Sequence, residues 1–205
     1  MQLIESRKRV RRKKIPDSLI YEIMDGKPLY YKGYKKVLQK QLNTEGVMGS
    51  STLHALILEY ILRILYKADK TNAFRIFSGE LGQHLDINNN LSGDILVYGI
   101  GMMPIEKIST HYADVPALLQ IEIDIHAELE DFKDTAYIKK KTQKLLDFGT
   151  QKIIWIFSST QQVMVAEKNK DWLWIDWNKD IQIWKDEHFN VGEYLKQQGV
   201  KVEED

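Results

Sequence analysis

The sequence contains no cysteine, which excludes disulfide bonds and thiolate metal sites. Any bound metal must therefore be held by oxygen atoms or by histidine nitrogens. Long hydrophobic runs are also missing, since stretches such as LQIEIDI and KIIWIF are far shorter than the roughly 20 residues of a membrane-spanning helix. The sequence also shows no charged start followed by an apolar stretch, the pattern that would indicate a signal peptide. We therefore expect a soluble, cytoplasmic protein with no membrane segment.

The chain has no net charge either, because 29 basic residues balance 29 acidic residues. This balance conceals a basic segment, RKRVRRKK at 7–14, which holds seven cations. Residues 15–205 hold 22 basic and 28 acidic residues and are mildly acidic. Residues 1–15 are predicted to form an arm that either contacts phosphate backbones or is merely solvated and disordered. The acidic remainder argues against a broad nucleic-acid surface, but not against a metal-dependent site.

Residues 16–205 have the length and composition of one globular domain, without internal repeats. The dipeptide Asp25-Gly26 between apolar runs indicates a hairpin. Apolar residues at helical spacing predict a helix from Ser51, capped by Ser50 or Ser51. Four strands and a second helix, which ends at Gly149, are expected next. The strands are predicted at 73–78, 81–87, 93–99 and 117–125, and the helix at 131–148.

The segment 152–184 predicts three or four strands separated by polar turns, and a short helix is expected from Val191. This order of elements predicts an α/β fold with a central mixed β-sheet flanked by α-helices, an extra N-terminal hairpin and C-terminal strands. Several tryptophans lie near the end of the chain. Because side chains alternate along a strand, Trp172 and Trp174 share one face and Trp177 lies on the other. We interpret them as packing or oligomer-interface residues rather than as one row that stacks on bases.

Two acidic residues lie two positions apart in the run LQIEIDI. Alternation sends its Leu and Ile side chains to one face of the sheet and Glu122 and Asp124 to the other. Residues two apart on a strand are separated by about 6.6 Å, so both carboxylates could bind one divalent cation. The alternative is a solvated strand face that only carries charge. A third acid, Asp94, begins the apolar run SGDILVY, where a carboxylate is costly without a partner.

Lys141 occupies an apolar stripe of the predicted second helix, with Ile138, Leu145 and Phe148 at helical spacing. A lysine there either extends to solvent or meets an acid. The acids in the preceding strands favour the second interpretation. Carboxylates bind Mg²⁺ or Mn²⁺ through oxygen, and such an ion beside a lysine polarises a phosphodiester and activates water. We therefore expect Asp94, Glu122 and Asp124 to bind a metal.

The segments LSGDILVY, LLQIEIDI and KKTQKLLDFGTQKIIWIF resemble the core of the Uma-two endonuclease family. This family is a branch of the PD-(D/E)xK nuclease superfamily, which has the restriction-endonuclease-like fold. The resemblance covers about residues 45–160 and implies one restriction-endonuclease-like domain over 16–205. In this pattern Asp94 matches the aspartate, Glu122 the glutamate of the next core strand, and Lys141 a lysine that has moved to the following helix.

Further positions match this pattern or depart from it. Gly149 matches the residue that ends the helix, and Trp155 matches a tryptophan of the following strand. Gly93 stands where the family has proline. Asp124 stands where the superfamily has its lysine, so the predicted site depends on Lys141. Its neighbours Lys139 and Lys140 are open alternatives for the site lysine.

Two more residues enter the predicted site. His54 matches a histidine that the family often has in its first long helix, and it could equally be a buried structural histidine. Glu80 is a candidate for a peripheral ligand or a water-holding acid, or it is an ordinary surface acid. His84 and His126 are interpreted as structural or solvent-facing, because neither has the spacing of a paired imidazole site.

The resemblance implies a Mg²⁺- or Mn²⁺-dependent endonuclease that hydrolyses DNA phosphodiester bonds and forms a homodimer. Asp94 and Glu122 are the expected ligands, Asp124 an auxiliary ligand or base, and Lys141 the cation that stabilises the transition state. The alternative is an inactive protein of the same fold that acts as a nucleic-acid-binding or protein-interaction module. The neutral net charge and the missing strand lysine favour this alternative. An ordinary homodimer with a structural charge network is also consistent with the sequence.

Overall fold

A computed structural model describes residues 15–129 and 134–201 of the chain. The helices are α1 (Tyr34–Leu38), α2 (Glu45–Met48), α3 (Thr52–Ala68), α4 (Asp134–Phe148) and α5 (Val191–Gln197). The strands are β1 (Ile20–Met24), β2 (Lys27–Tyr30), β3 (Phe74–Asp86), β4 (Asn89–Gly99), β5 (Leu119–Ile123), β6 (Lys152–Phe157), β7 (Gln162–Glu167), β8 (Leu173–Asp176), β9 (Ile181–Trp184) and β10 (Glu187–Phe189). The predicted basic segment 7–14 lies outside the described residues.

Eight strands form a mixed, mostly antiparallel sheet in the order β2-β1-β4-β5-β6-β7-β8, with β3 paired to β4 outside this path. Strand β5 pairs antiparallel with β4 and parallel with β6. All five residues of β5 are buried, so any polar side chain on this strand must find a partner inside the protein. Strands β9 and β10 form a separate two-stranded sheet.

Helices cover both faces of the sheet, which confirms the predicted α/β architecture. One face packs against α3 and α5, where Ile57 and Leu195 meet Ile121 and Ile154. The other face packs against α4, where Leu145 meets Trp155. The alternation of side chains along β5 and β6 separates these two cores, because successive residues point to opposite faces. Among the described helices, none is both long and apolar enough to cross a membrane.

Local signals read from the sequence are confirmed at three places. Asp25 and Gly26 turn the β1–β2 hairpin with φ of 53° and 70°. Ser51 caps α3, its hydroxyl accepting the N–H of His54. Gly149 follows α4 with φ of 124°, and its N–H and that of Thr150 bond to the last-turn carbonyls of Leu146 and Leu145.

Other predicted bounds were wrong. The strands expected at 73–78 and 81–87 are one strand, β3, because a bulge at Gly79 and Glu80 interrupts the pairing without ending it. The strand expected at 117–125 is shorter and ends at Ile123. The three or four strands expected over 152–184 are confirmed as four, and among the described residues a further short strand, β10, follows them at Glu187–Phe189.

Candidate metal and lysine site

Asp94 is held at the centre of the sheet by hydrogen bonding from β5. Its Oδ2 accepts the N–H of Ile123 at 2.7 Å, and its Oδ1 lies 3.6 Å from His54 Nε2. The side chain is 3% exposed. Burial raises the pKa of Asp94, and the His54 ring and the Ile123 N–H oppose that shift. The carboxylate therefore lies between a strand amide and the first turn of α3.

His126 joins His54 and Asp94 in a group of three potential metal ligands. One ligand atom from each residue lies within 4.8 Å of the other two. The two imidazole rings meet edge to face, with centroids 5.0 Å apart. The sequence interpretation of His126 as structural or solvent-facing missed this arrangement, because His126 follows β5 while His54 belongs to a helix 72 positions earlier in the chain.

The donor chemistry of these three residues fits a metal ion. His54 Nδ1 is buried and has no hydrogen-bond partner among the described residues. Burial lowers the pKa of His54, against the opposing effect of Asp94, so the neutral ring that metals require is favoured. His126 Nε2 lies 3.2 Å from the Ile123 carbonyl oxygen, and a proton donated there leaves Nδ1 as the free ligand atom.

Lys141 meets acids instead of extending to solvent. Its side chain is 0% exposed, and Nζ lies 2.7 Å from Glu22 Oε1 and 3.1 Å from Glu122 Oε1. Burial lowers the pKa of Lys141, but Glu122 and Glu22 outweigh that effect and hold the pKa well above its ordinary value. Of the alternatives, Lys139 is exposed and Lys140 pairs with Asp25. The structure thus brings Lys141, and not its neighbours, to the acids.

Glu22 was not among the residues expected at the site. It lies on β1 and accepts hydrogen bonds from the N–H and hydroxyl of Ser92 and from the hydroxyl of Tyr137, the last at 2.8 Å. With Lys141, these contacts satisfy a carboxylate that is 2% exposed. The sequence signal was present, since Glu22 interrupts the apolar run SLIYEIM as Asp94 interrupts its own strand.

Glu122 faces α4, as the strand alternation predicted. Its Oε1 contacts Lys141 and accepts a hydrogen bond from Gln120 Nε2. Burial raises the pKa of Glu122 to about 8; Lys141 opposes the shift, while Asp94 and Glu22 add to it. Three buried acids beside one lysine cannot all be charged at low cost, so a raised carboxyl pKa is the physical consequence.

Gly93, which replaces the expected proline, makes room for Gln120. A Cβ at position 93 would lie 2.7 Å from Gln120 Nε2. That amide donates to the Ser92 carbonyl and to Glu122, and its oxygen accepts from Gln83. The absence of a proline ring at position 93 therefore leaves room for the buried side-chain amides that orient Glu122.

Asp124 lies just beyond the strand on which alternation was expected to place it beside Glu122. The strand ends at Ile123, and Asp124 has φ of 60°, outside the extended region of a strand. Both oxygens of Asp124 accept hydrogen bonds from Ser158, from its N–H and its hydroxyl, at 2.7 Å each. Asp124 thus ties the residue after β5 to the residue after the parallel strand β6, and its role as a metal ligand stays a prediction.

The remaining candidates lie at the edge of the site or away from it. Glu80, in the bulge of β3, accepts a hydrogen bond from the Tyr31 hydroxyl at 3.1 Å. Its charge acts on His54, so it lies close enough to influence the site. His84 is exposed and lies 2.6 Å from Asn90 Oδ1, apart from the metal-ligand group.

Comparisons with known proteins bear on the fold. No protein-family model and no curated protein matches the sequence. The structure is similar to the crystal structure of a putative nuclease belonging to DUF820 from Anabaena variabilis ATCC 29413, with a TM-score of 0.63. The match covers 85% of this chain and 89% of that one at 16% sequence identity. The chain therefore has a nuclease-like fold.

Proposed function

We propose that this protein is a metal-dependent phosphodiester hydrolase that acts on nucleic acid, with DNA as the expected substrate. One observation carries the proposal: the Asp94 carboxylate is grouped with the imidazoles of His54 and His126 as potential metal ligands. The fully buried Lys141 supplies a positive charge that acts on the same carboxylate. The nuclease-like fold supports the same proposal.

In this proposal His54, Asp94 and His126 hold the metal through two imidazole nitrogens and one carboxylate oxygen. When bound, the metal would supply a Lewis acid that polarises the phosphate and activates an attacking water. Lys141 supplies positive charge for the negative charge that develops in the transition state. Glu22 and Glu122 keep that lysine protonated and fix the position of its Nζ.

The ligand set differs from the acid triad expected from the sequence. Glu122 Oε1 is engaged by Lys141 and Gln120, and both oxygens of Asp124 are engaged by Ser158. Two imidazoles with one carboxylate suit Mn²⁺, Zn²⁺ and other transition metals better than Mg²⁺, which prefers oxygen ligands. We therefore propose Mn²⁺ as the first ion to test, with Mg²⁺ and Zn²⁺ for comparison.

Calorimetric titration of Mn²⁺ into the protein tests the metal centre. We expect one ion per chain and an affinity at least about tenfold weaker in His126→Ala. Loss of a residue that only supports a ligand already weakens metal binding about tenfold or more, and loss of a ligand should cost no less. His84→Ala is the matched control, because His84 lies outside the group.

Cleavage of plasmid and single-stranded DNA with Mn²⁺ should be lost in Asp94→Asn. Absent metal binding, or cleavage that survives Asp94→Asn, would contradict the proposal.

The deep burial of the charged group favours a second candidate function, an inactive protein of the same fold that binds nucleic acid or another protein. Asp94, Glu122 and Lys141 are each at most 3% exposed, which suits a structural charge network. The same cleavage assay separates the two candidates, because this one requires DNA or protein binding without Mn²⁺-dependent cleavage.

We also propose that the chain is a member of the Uma-two branch of the PD-(D/E)xK nucleases and forms a homodimer. The strand positions of Asp94 and Glu122 and the helix position of Lys141 support the membership. Sedimentation at micromolar concentration tests the dimer, and a monomeric mass at all concentrations would contradict it.

A further inference from the structure

A cavity of about 520 Å³ lies beside the site, and the proposed metal and lysine chemistry does not use it. Its volume is in the range of sites that bind small organic groups. Residues with charged, hydroxyl, amide and aromatic side chains share the wall. Among them are Lys32, Asp124, Ile138, Ser158, Gln162 and Trp174.

Two segments that carry site residues also form the wall of this cavity, and a third wall segment is hydrogen-bonded to one of them. Asp124 follows Glu122 by two positions, and Ile138 precedes Lys141 by one helical turn. The backbone N–H of Lys32 donates to the His126 carbonyl at 2.7 Å. A ligand in the cavity is therefore adjacent to the segments that would hold the metal and the scissile phosphate.

Trp174 gives the cavity an exposed aromatic surface that is rigidly supported from behind. Its side chain is 50% exposed. One side packs on Phe157, with centroids 5.4 Å apart and planes 15° from parallel. Phe157 in turn stacks on the buried Trp155, whose ring lies 5.3 Å from Lys141 Nζ. A stack of three rings thus runs from the lysine to an indole that is half open to solvent.

The polar wall residues suit the edges of a nucleobase. Gln162 offers both an amide donor and an amide acceptor, and Ser159 and Thr160 offer hydroxyl groups that do both. Lys32 adds a cation that favours an adjacent phosphate. Proteins that take up an unpaired base combine the same two features, an aromatic stacking surface and hydrogen-bonding groups around the base edge.

We propose that this cavity binds one unpaired nucleobase of the substrate, stacked on Trp174. The inference rests on the proposed function, because it assumes a nucleic acid whose phosphate lies at the Asp94 site. A base inside a duplex cannot place its face on the indole, since its neighbours in the stack already cover it. The substrate class is therefore single-stranded nucleic acid or a duplex with a locally unpaired segment.

Binding without cleavage tests the inference. Fluorescence anisotropy in EDTA would follow a labelled 12-nucleotide single strand and the corresponding duplex. We expect tighter binding of the single strand and a loss of about 10- to 100-fold in Trp174→Ala, as for one lost stacking contact. Trp174→Phe should retain most of the affinity because it keeps an aromatic face. The dependence on salt should be unchanged in both variants, because no charge is removed.

Leu173→Ala is the matched control, because Leu173 is the neighbouring residue of β8 and is 54% exposed. It should bind the single strand like the unaltered protein. Equal affinities for Trp174→Ala and Leu173→Ala, or tighter binding of the duplex, would overturn the base subsite. If Asp94-dependent cleavage persisted in that case, the proposed function would stand. Failure of the unaltered protein to bind either nucleic acid would overturn the subsite, and Mn²⁺-dependent cleavage would decide the proposed function separately.

Discussion

At the scale of single residues, the site is a group of buried charges that stabilise one another. Lys141 is enclosed by Glu22 and Glu122, and Asp94 is tied to the backbone of Ile123. Such a group contributes little net stability when complete, because desolvation offsets the attraction between charges. Removal of one member is costly, because the remaining charges stay buried without compensation.

Lys141→Met is therefore expected to lower the free energy of unfolding by about 3–5 kcal/mol at neutral pH. The methionine keeps the apolar stem but leaves Glu22 and Glu122 without their cation. Urea denaturation measures the difference. The control is Lys139→Met on the exposed face of α4, which should change stability by less than about 0.5 kcal/mol. Equal effects of the two substitutions would show that the acids do not depend on Lys141.

Glu122 is expected to make stability depend on pH in the metal-free protein. Its pKa is about 8 in the folded chain against about 4.5 ordinarily, so the folded state holds a proton that the unfolded state has released between these values. The free energy of unfolding should then fall as pH rises from about 5 to about 8, by up to about 1.4 kcal/mol per pH unit from this group. Glu122→Gln should flatten that dependence.

Urea denaturation in EDTA across this pH range checks the prediction. Glu106→Gln serves as the control, because Glu106 is exposed and distant in sequence from the site. Parallel pH curves for Glu122→Gln and the unaltered protein would show that Glu122 titrates alike in the folded and unfolded chains.

At the scale of secondary-structure elements, the end of α4 positions the lysine-bearing helix against the sheet. Gly149 has φ of 124°, a region that residues with a Cβ rarely adopt. A Cβ there would also lie 3.0 Å from Pro116 Cγ. The glycine therefore permits both the hydrogen bonds that end the helix and the approach of the segment before β5.

Gly149→Ala should lower the free energy of unfolding by about 1–3 kcal/mol, the usual cost of a side chain held in a disfavoured backbone region. Thermal and urea denaturation measure it. Gly101→Ala provides the comparison, because a Cβ at Gly101 has no neighbouring atom within 4 Å and its φ is not positive. A loss no larger than that of Gly101→Ala would show that the chain after α4 relaxes without cost.

At the scale of the whole molecule, the three proposed ligands join elements far apart in the chain. His54 lies on α3, Asp94 on β4, and His126 in the segment after β5. A metal bound to all three binds only the folded protein, so metal binding and folding are linked.

Mn²⁺ at 100 times its dissociation constant should therefore raise the free energy of unfolding by about 2.7 kcal/mol. Urea denaturation with Mn²⁺ and with EDTA measures the increase. The increase should be lost in His126→Ala and kept in His84→Ala. Stabilisation of equal size in both variants would place the ion elsewhere.

Much of this molecule was predictable from the sequence because the signals are local. The periodicity of α3, the Asp25-Gly26 turn and the apolar strands determined the element types and the α/β class. Asp94 and Lys141 were identifiable because a charge within an apolar stripe must find a partner. The structure bears out that Lys141 and Glu122 meet.

Only the tertiary structure decided how these charges are paired. Glu22 reaches Lys141 across 119 positions of the chain, and His126 meets His54 across 72, and no local pattern encodes such distances. Asp124 lies beyond the end of β5 with positive φ and is held by hydrogen bonds from Ser158, a partner 34 positions away that alternation along the strand does not predict. Sequence periodicity determines which face a side chain takes, whereas packing between distant elements determines what it meets there.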